Sequence, residues 1–147
     1  SGTSIDFTGI PSWAKRITVM LNGVSTSGTS GIACQIGAGS IVATGYVGGS
    51  LNTQGTASSG AAIAFSTSFV VIGLANSATY TNHGAVSLLN ITGNTWCESG
   101  SVSDNFGSRT CASNGSVALS GTLDRLRLTT VNGTDTFDAG SVNILWE

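Results

Sequence analysis

The chain has 147 residues and a formal net charge of −2, and only 8% of its residues are charged. That length suits a single domain, residues 1–147, with room for a core that needs no metal. No Lys/Arg cluster exists beyond Lys15-Arg16 and the alternating Arg125/Arg127, which excludes the electrostatic footprint of a nucleic-acid binder, and no apolar run reaches the roughly 20 residues of a membrane-spanning helix. Glycine occurs 21 times and proline once. Thr, Val and Ile are common, helix formers such as Glu, Lys and Gln are scarce, and the composition is that of a β protein. Solubility then rests on hydroxyls and amides, and the low charge suits copies packed at high density.

In chain order, Ser1-Gly2-Thr3-Ser4 reads as a cut boundary or linker, and Ile5-Asp6-Phe7 as a short strand. Gly9-Ile10-Pro11-Ser12 turns the chain. From Lys15, the residues Ile17, Val19 and Leu21 fall on one face and Arg16, Thr18, Met20 and Asn22 on the other, the period of a half-buried strand. Asn22-Gly23 signals a tight turn or a bulge, and residues 25–31 read as a polar loop. Ile32 to Ile36 is a strand with Ile41 to Val47 as its expected hairpin partner. Residues 48–60 read as a long flexible tract, and Ala61 to Leu74 as two short strands or one bent strand. Residues 76–84 form a polar loop carrying Tyr80 and His83. Ala85 to Ile91 and Thr95 to Val102 are strands, and Ser103 to Ser116 is expected to be a loop containing Cys111. Leu126 and Leu128 alternate with Arg125 and Arg127, a turn follows at residues 131–135, and Val142, Ile144 and Trp146 share a face of the last strand. Short strands separated by turn signals, without a helical period, predict an all-β, antiparallel two-sheet sandwich of jelly-roll-like type. Its expected core is Ile17, Val19, Leu21, Leu126, Leu128, Val142 and Ile144.

Chemistry-bearing residues are few. His83 is the only imidazole, with no nucleophile motif beside it. The carboxylates of Asp6, Glu98, Asp104, Asp124, Asp135, Asp138 and Glu147 stand mostly in turn contexts, where Asp caps its own backbone. Asn132, Asp135 and Asp138 offer oxygens to calcium, but the spacing matches no EF-hand and an Asx-turn is the default. No metal, cofactor or catalytic residue is expected. The three cysteines read either as small buried hydrophobes or as a Cys97–Cys111 bridge closing a hairpin, with Cys34 a buried free thiol; the bridge is the expectation carried forward. Trp13, after the Pro-Ser turn, and Tyr80 with His83 are the candidate ligand-binding residues, since exposed rings beside amides serve as sugar platforms. Three N-x-[ST] sequons, at Asn90, Asn114 and Asn132, are of a kind that arises by chance in so Ser/Thr/Asn-rich a chain.

Two segments carry a resemblance. Residues 7–28, FTGIPSWAKRITVMLNGVSTSG, and residues 123–147, LDRLRLTTVNGTDTFDAGSVNILWE, resemble the distal, often C-terminal domains of tail-fibre-like and related virion proteins of tailed bacteriophages. Ile36-Gly-Ala-Gly-Ser and Thr44-Gly-Tyr-Val-Gly fit the same pattern. The resemblance covers both ends of the chain and the middle loosely. It implies a β-rich, extracellular virion component that is a homo-oligomer, most simply a trimer, in contact with other virion proteins. On this reading the domain is not an enzyme; it binds a host cell-surface glycan through loops 25–31, 48–60 and 76–84. The rival is a capsid decoration or head-fibre structural protein with no receptor role.

Overall fold

The computed structural model of the chain describes residues 2–54, 57–73, 77–105 and 109–147. It is an all-β sandwich of two antiparallel sheets, as the period-two patterning predicts. The strands are β1 (Ser4–Thr8), β2 (Arg16–Thr26), β3 (Ile32–Ala38), β4 (Ser40–Ile41), β5 (Val47–Gln54), β6 (Ala57–Ala64), β7 (Phe69–Ile72), β8 (Asn82–Thr92), β9 (Thr95–Asp104), β10 (Arg109–Ala118), β11 (Arg125–Thr130) and β12 (Phe137–Trp146). The small sheet runs β1-β11-β3, and β4 and β7 both pair with β3, against its end and its start respectively. The large sheet has seven strands in the order β12-β2-β8-β9-β10-β5-β6.

The core lies between the sheets. Ile17, Val19 and Leu21 of β2, Leu126 and Leu128 of β11 and Ile144 of β12 are buried as their alternation predicts, and Val142 is half-buried against them. Phe69, Ile32, Ile36, Val71, Val86 and Leu88 are among the other buried apolar residues that fill it. Tyr46 places a polar atom in this core and satisfies it locally: its hydroxyl accepts the Ile36 N–H at 2.9 Å and donates to the Val42 carbonyl at 3.0 Å. Its ring meets Phe69 edge-on, with centroids 4.8 Å apart.

At Asn22-Gly23 the bulge reading holds: Gly23, at φ 66°, sits in a bulge between Leu21 and Val24. Four local expectations are corrected. β2 continues to Thr26, into the expected 25–31 loop. The tract 48–60 is not a flexible loop but the hairpin β5–β6, with residues 55 and 56 outside the described set. Most of the expected 103–116 loop is β10, paired on both sides by β9 and β5. Only Ser40–Ile41 pairs back on β3, and the chain then crosses to the large sheet. In these segments Ser, Gly and Ala form strands because the backbone finds ladder partners, on both sides for β5 and β10 and on one side for the edge strand β6, a requirement that composition does not display.

Candidate functional site

Trp13 sits at the tip of the β1–β2 connection, where the Ala14 N–H donates to the Pro11 carbonyl at 3.0 Å and closes a turn. Its indole is 62% exposed, whereas Trp96 is buried. Below it the Lys15 and Arg16 N–H groups are held by the Glu147 carbonyl, and the Asn90 N–H by the Lys15 carbonyl. A small polar hollow of about 70 Å³ opens there, lined by Ser12, Lys15, Asn90, Asn94 and Thr122 among others. Lys15 Nζ donates to Asn90 Oδ1 at 3.3 Å, and Asn90 Nδ2 donates to the Gly93 and Thr95 carbonyls at 3.0 and 3.2 Å. The exposed Trp13 offers a flat apolar face, and the amide, hydroxyl and ammonium groups of the hollow lined by its chain neighbours Ser12 and Ala14 offer directional partners.

Tyr80 and His83 do not join this site. His83 lies seven residues from Asn90 along β8, roughly 23 Å at about 3.3 Å per residue, so Trp13 and the Tyr80–His83 pair stand at opposite ends of the sandwich. Tyr80 is half-buried with the Arg109 guanidinium carbon 5.2 Å from its ring centroid; that face of the ring is covered by the cation rather than open to a sugar. Arg109 in turn pairs with Asp104 at 3.4 Å, both side chains buried. His83 accepts the Gly23 N–H at Nδ1 (3.2 Å), and its Nε2 lies 3.4 Å from Thr81 Oγ1. With Nδ1 accepting, the neutral ring carries its proton on Nε2, which then donates to Thr81 instead of serving as its base.

The expected Cys97–Cys111 bridge is not formed: Cys34, Cys97 and Cys111 are all free thiols. Cys111 pairs with Val102 across β9–β10, five residues from Cys97. That is roughly 17 Å along the strand, beyond the reach of a disulfide. The two thiols also face opposite ways, because Cys111 shares the buried parity of Val102 and Cys97 the outward parity of Ser99. Cys34 is buried as expected, and burial pushes its thiol, and that of Cys111, up from the usual range.

The carboxylates are engaged within the fold. Asp6 makes two 2.7 Å hydrogen bonds with Arg127, and Asp124 takes two from Arg125 at 2.8 and 3.0 Å. These guanidinium groups hold the Asp6 and Asp124 carboxyls below their ordinary range. Asp135 accepts Asn132 Nδ2 and the Ser30 N–H, both at 2.9 Å, while Asn132 Oδ1 accepts the N–H groups of Thr134 and Asp135. This is the Asx-turn default. Asp138 is engaged separately by the Ser25 hydroxyl, and no metal-binding group of three or more acidic, His or Cys residues exists among the described residues.

Glu98 is the exception that sequence reading passed over. It is 2% exposed and faces the core from β9; Oε1 accepts the Ser113 hydroxyl at 2.7 Å, and Oε2 has no protein partner among the described residues. On neighbouring β5 the Ser50 hydroxyl and the Asn52 amide are buried on the same side, so a polar patch interrupts the core under β9, β10 and β5. Burial pushes the Glu98 carboxyl up to about 7, against the lowering effect of Ser113. The signal was present: Trp96, Glu98, Gly100 and Val102 share one parity, and two of the four are large apolar residues. Comparison with protein-family models, curated proteins and solved structures finds no match to this chain.

Proposed function

We propose that this domain is a non-enzymatic component of a bacteriophage virion, a distal module of a tail-fibre-like protein that attaches to a host-surface glycan. The observation that carries the attachment reading is the exposed Trp13, whose chain neighbours Ser12 and Ala14 line a hollow together with Asn90, Asn94 and Lys15. A pyranose can lay its C–H face on the indole and turn its hydroxyls toward the amides. Such a contact is weak in one copy and becomes avid when several copies are displayed together, which is the use of a homo-oligomer, most simply a trimer, on a particle. The resemblance of residues 7–28 and 123–147 to tail-fibre-like domains supports the virion setting.

A second reading, a capsid decoration or head-fibre protein without receptor role, is favoured by the other end of the sandwich. There Tyr80 is tied to Arg109, and loops 27–31 and 131–136 are knitted together by Ser30, Asn132 and Asp135. The test is a panel of bacterial surface polysaccharides probed with the labelled domain. Attachment predicts that Trp13→Ala weakens binding about tenfold or more while His83→Ala leaves it unchanged. Absence of any glycan binding, together with saturable binding to phage heads, favours the decoration reading.

A further inference from the structure

The charged side chains are distributed unevenly over the two sheets. The outer face of the small sheet carries Asp6, Arg125 and Arg127, with Asp124 at its end. Glu98, Asp104 and Arg109 are buried, Asp135 belongs to a cross-loop network, and Asp138 lines the cleft between β1 and β12. Lys15, Arg16 and Glu147 gather at one corner. Of the seven acidic and five basic residues, only Arg16 projects from the large sheet's outer face, and it does so at that corner.

Register defines what this broad face presents instead. One rung reads Leu145, Thr18, Ser87, Ser99, Asn114, Gly49 and Ala64, and the next reads Asn143, Met20, Ala85, Ser101, Ala112 and Leu51. Met20, Val47, Leu51, Leu89 and Leu145 all expose large apolar side chains here, five of the nine such residues among those described. The polar groups between them are in part already satisfied within the face: Ser99 Oγ donates to Asn114 Oδ1 at 2.8 Å, and Ser103 and Thr110 share a hydrogen bond of 3.0 Å. These two pairs therefore need no new partner when the face is covered.

We infer that the outer face of the seven-stranded sheet is the surface through which one copy of this chain packs on a second copy. Two observations select that occupant. The face lacks the charge that would recognise a charged partner, and it carries both halves of a fit: Leu145, Met20 and Leu89 protrude on β12, β2 and β8, while a shallow hollow of about 600 Å³ lies over β10, β5 and β6, lined by Gly49, Leu51, Ala64 and Ala112 among others. The protruding half of one copy meets the hollow half of another, the self-complementarity that a homo-oligomeric contact requires. Six strand spacings of about 4.8 Å and some 20 Å of strand length give roughly 600 Å² per copy, so a pair reaches the approximately 1,200 Å² at which specific interfaces begin. This inference rests on the homo-oligomeric part of the function proposed above and assigns it a surface.

Light scattering over a concentration series tests it. The wild-type domain is expected at a multiple of 14.7 kDa. Ala85→Glu/Ala112→Glu, which puts two carboxylates on either side of Ser101, raises the dissociation constant about 100-fold or more. Thr8→Glu, on the outer face of the small sheet, leaves assembly intact. Cys97 provides a readout that needs no substitution: it lies on the same face and is half-exposed in the single chain, so its alkylation should be slow in the concentrated assembly and speed up on dilution. A wild-type assembly in which Cys97 reacts equally fast at all concentrations, or which the Ala85/Ala112 variant leaves unchanged, overturns the assignment of this face but not the oligomer. A wild-type monomer throughout overturns both.

Discussion

Asp6 and Arg127, 121 positions apart in sequence, face each other across β1–β11 and close a two-pronged ion pair with both contacts at 2.7 Å. The pair belongs to the outward side of the small sheet; the inward side of the same two strands carries Ile5, Phe7, Leu126 and Leu128. Half-exposed pairs of this kind contribute little to stability. Their structural meaning is positional: they place paired charges on the outer face of the small sheet, whereas the outer face of the large sheet carries Arg16 alone of the acidic and basic residues.

The inward side supplies the stability. Leu126 is fully buried on β11, between β1 and β3. Leu126→Ala is expected to cost about 2–5 kcal/mol in a denaturant titration, through lost burial and the cavity left behind. A loss below about 0.5 kcal/mol would remove Leu126 from the core.

Glu98 makes stability depend on pH with a definite sign. Its folded carboxyl is raised from 4.5 to about 7 by burial, so the folded chain holds a proton that the unfolded chain releases. Its contribution is fully present below about pH 4.5 and is lost as pH rises through about 7, by an amount on the order of 3 kcal/mol. Asp6, Asp124 and Asp135 have the opposite sign: their lowered values make stability fall as acid protonates them below their usual range. Glu98→Gln, which keeps an acceptor for Ser113, is expected to flatten the decline between pH 5 and pH 8 in thermal melts. An unchanged slope in that variant would show that Glu98 does not govern it.

The thiols give a direct count. Protein denatured without reductant should release three reactive thiols; the folded single chain should expose Cys97 alone, with Cys34 and Cys111 reacting only on unfolding. One reactive thiol after denaturation would mean that two of the three are bridged.

The strands of β2, β11 and β12 were legible because Val, Ile and Leu alternate there with polar residues, and that alternation located six buried core positions directly. The hairpin β5–β6 and strand β10 were not, because their inward positions include Ser50, Asn52 and Ser113 and their outward ones Gly49, Ala112 and Asn114. With little contrast between the faces, residues 103–116 read as a loop although most of them lie in a doubly paired strand. The candidate site was legible in part. Exposure of Trp13 followed from its place after a turn, but its distance from Tyr80 and His83 depends on which end of β8 each occupies, a property of sheet register and not of local pattern. The cysteine spacing of 97 and 111 suggested a hairpin, and β9–β10 is one; the registry then separates the thiols by five residues and turns them to opposite faces.

The virion assignment is tested most directly by immuno-electron microscopy of purified phage particles from the source of this sequence, using antibody raised against the isolated domain. The function proposed here predicts label at one repeated position on the particle, at the fibre tips for an attachment domain. Particles without label, with the chain found only outside them, would contradict it.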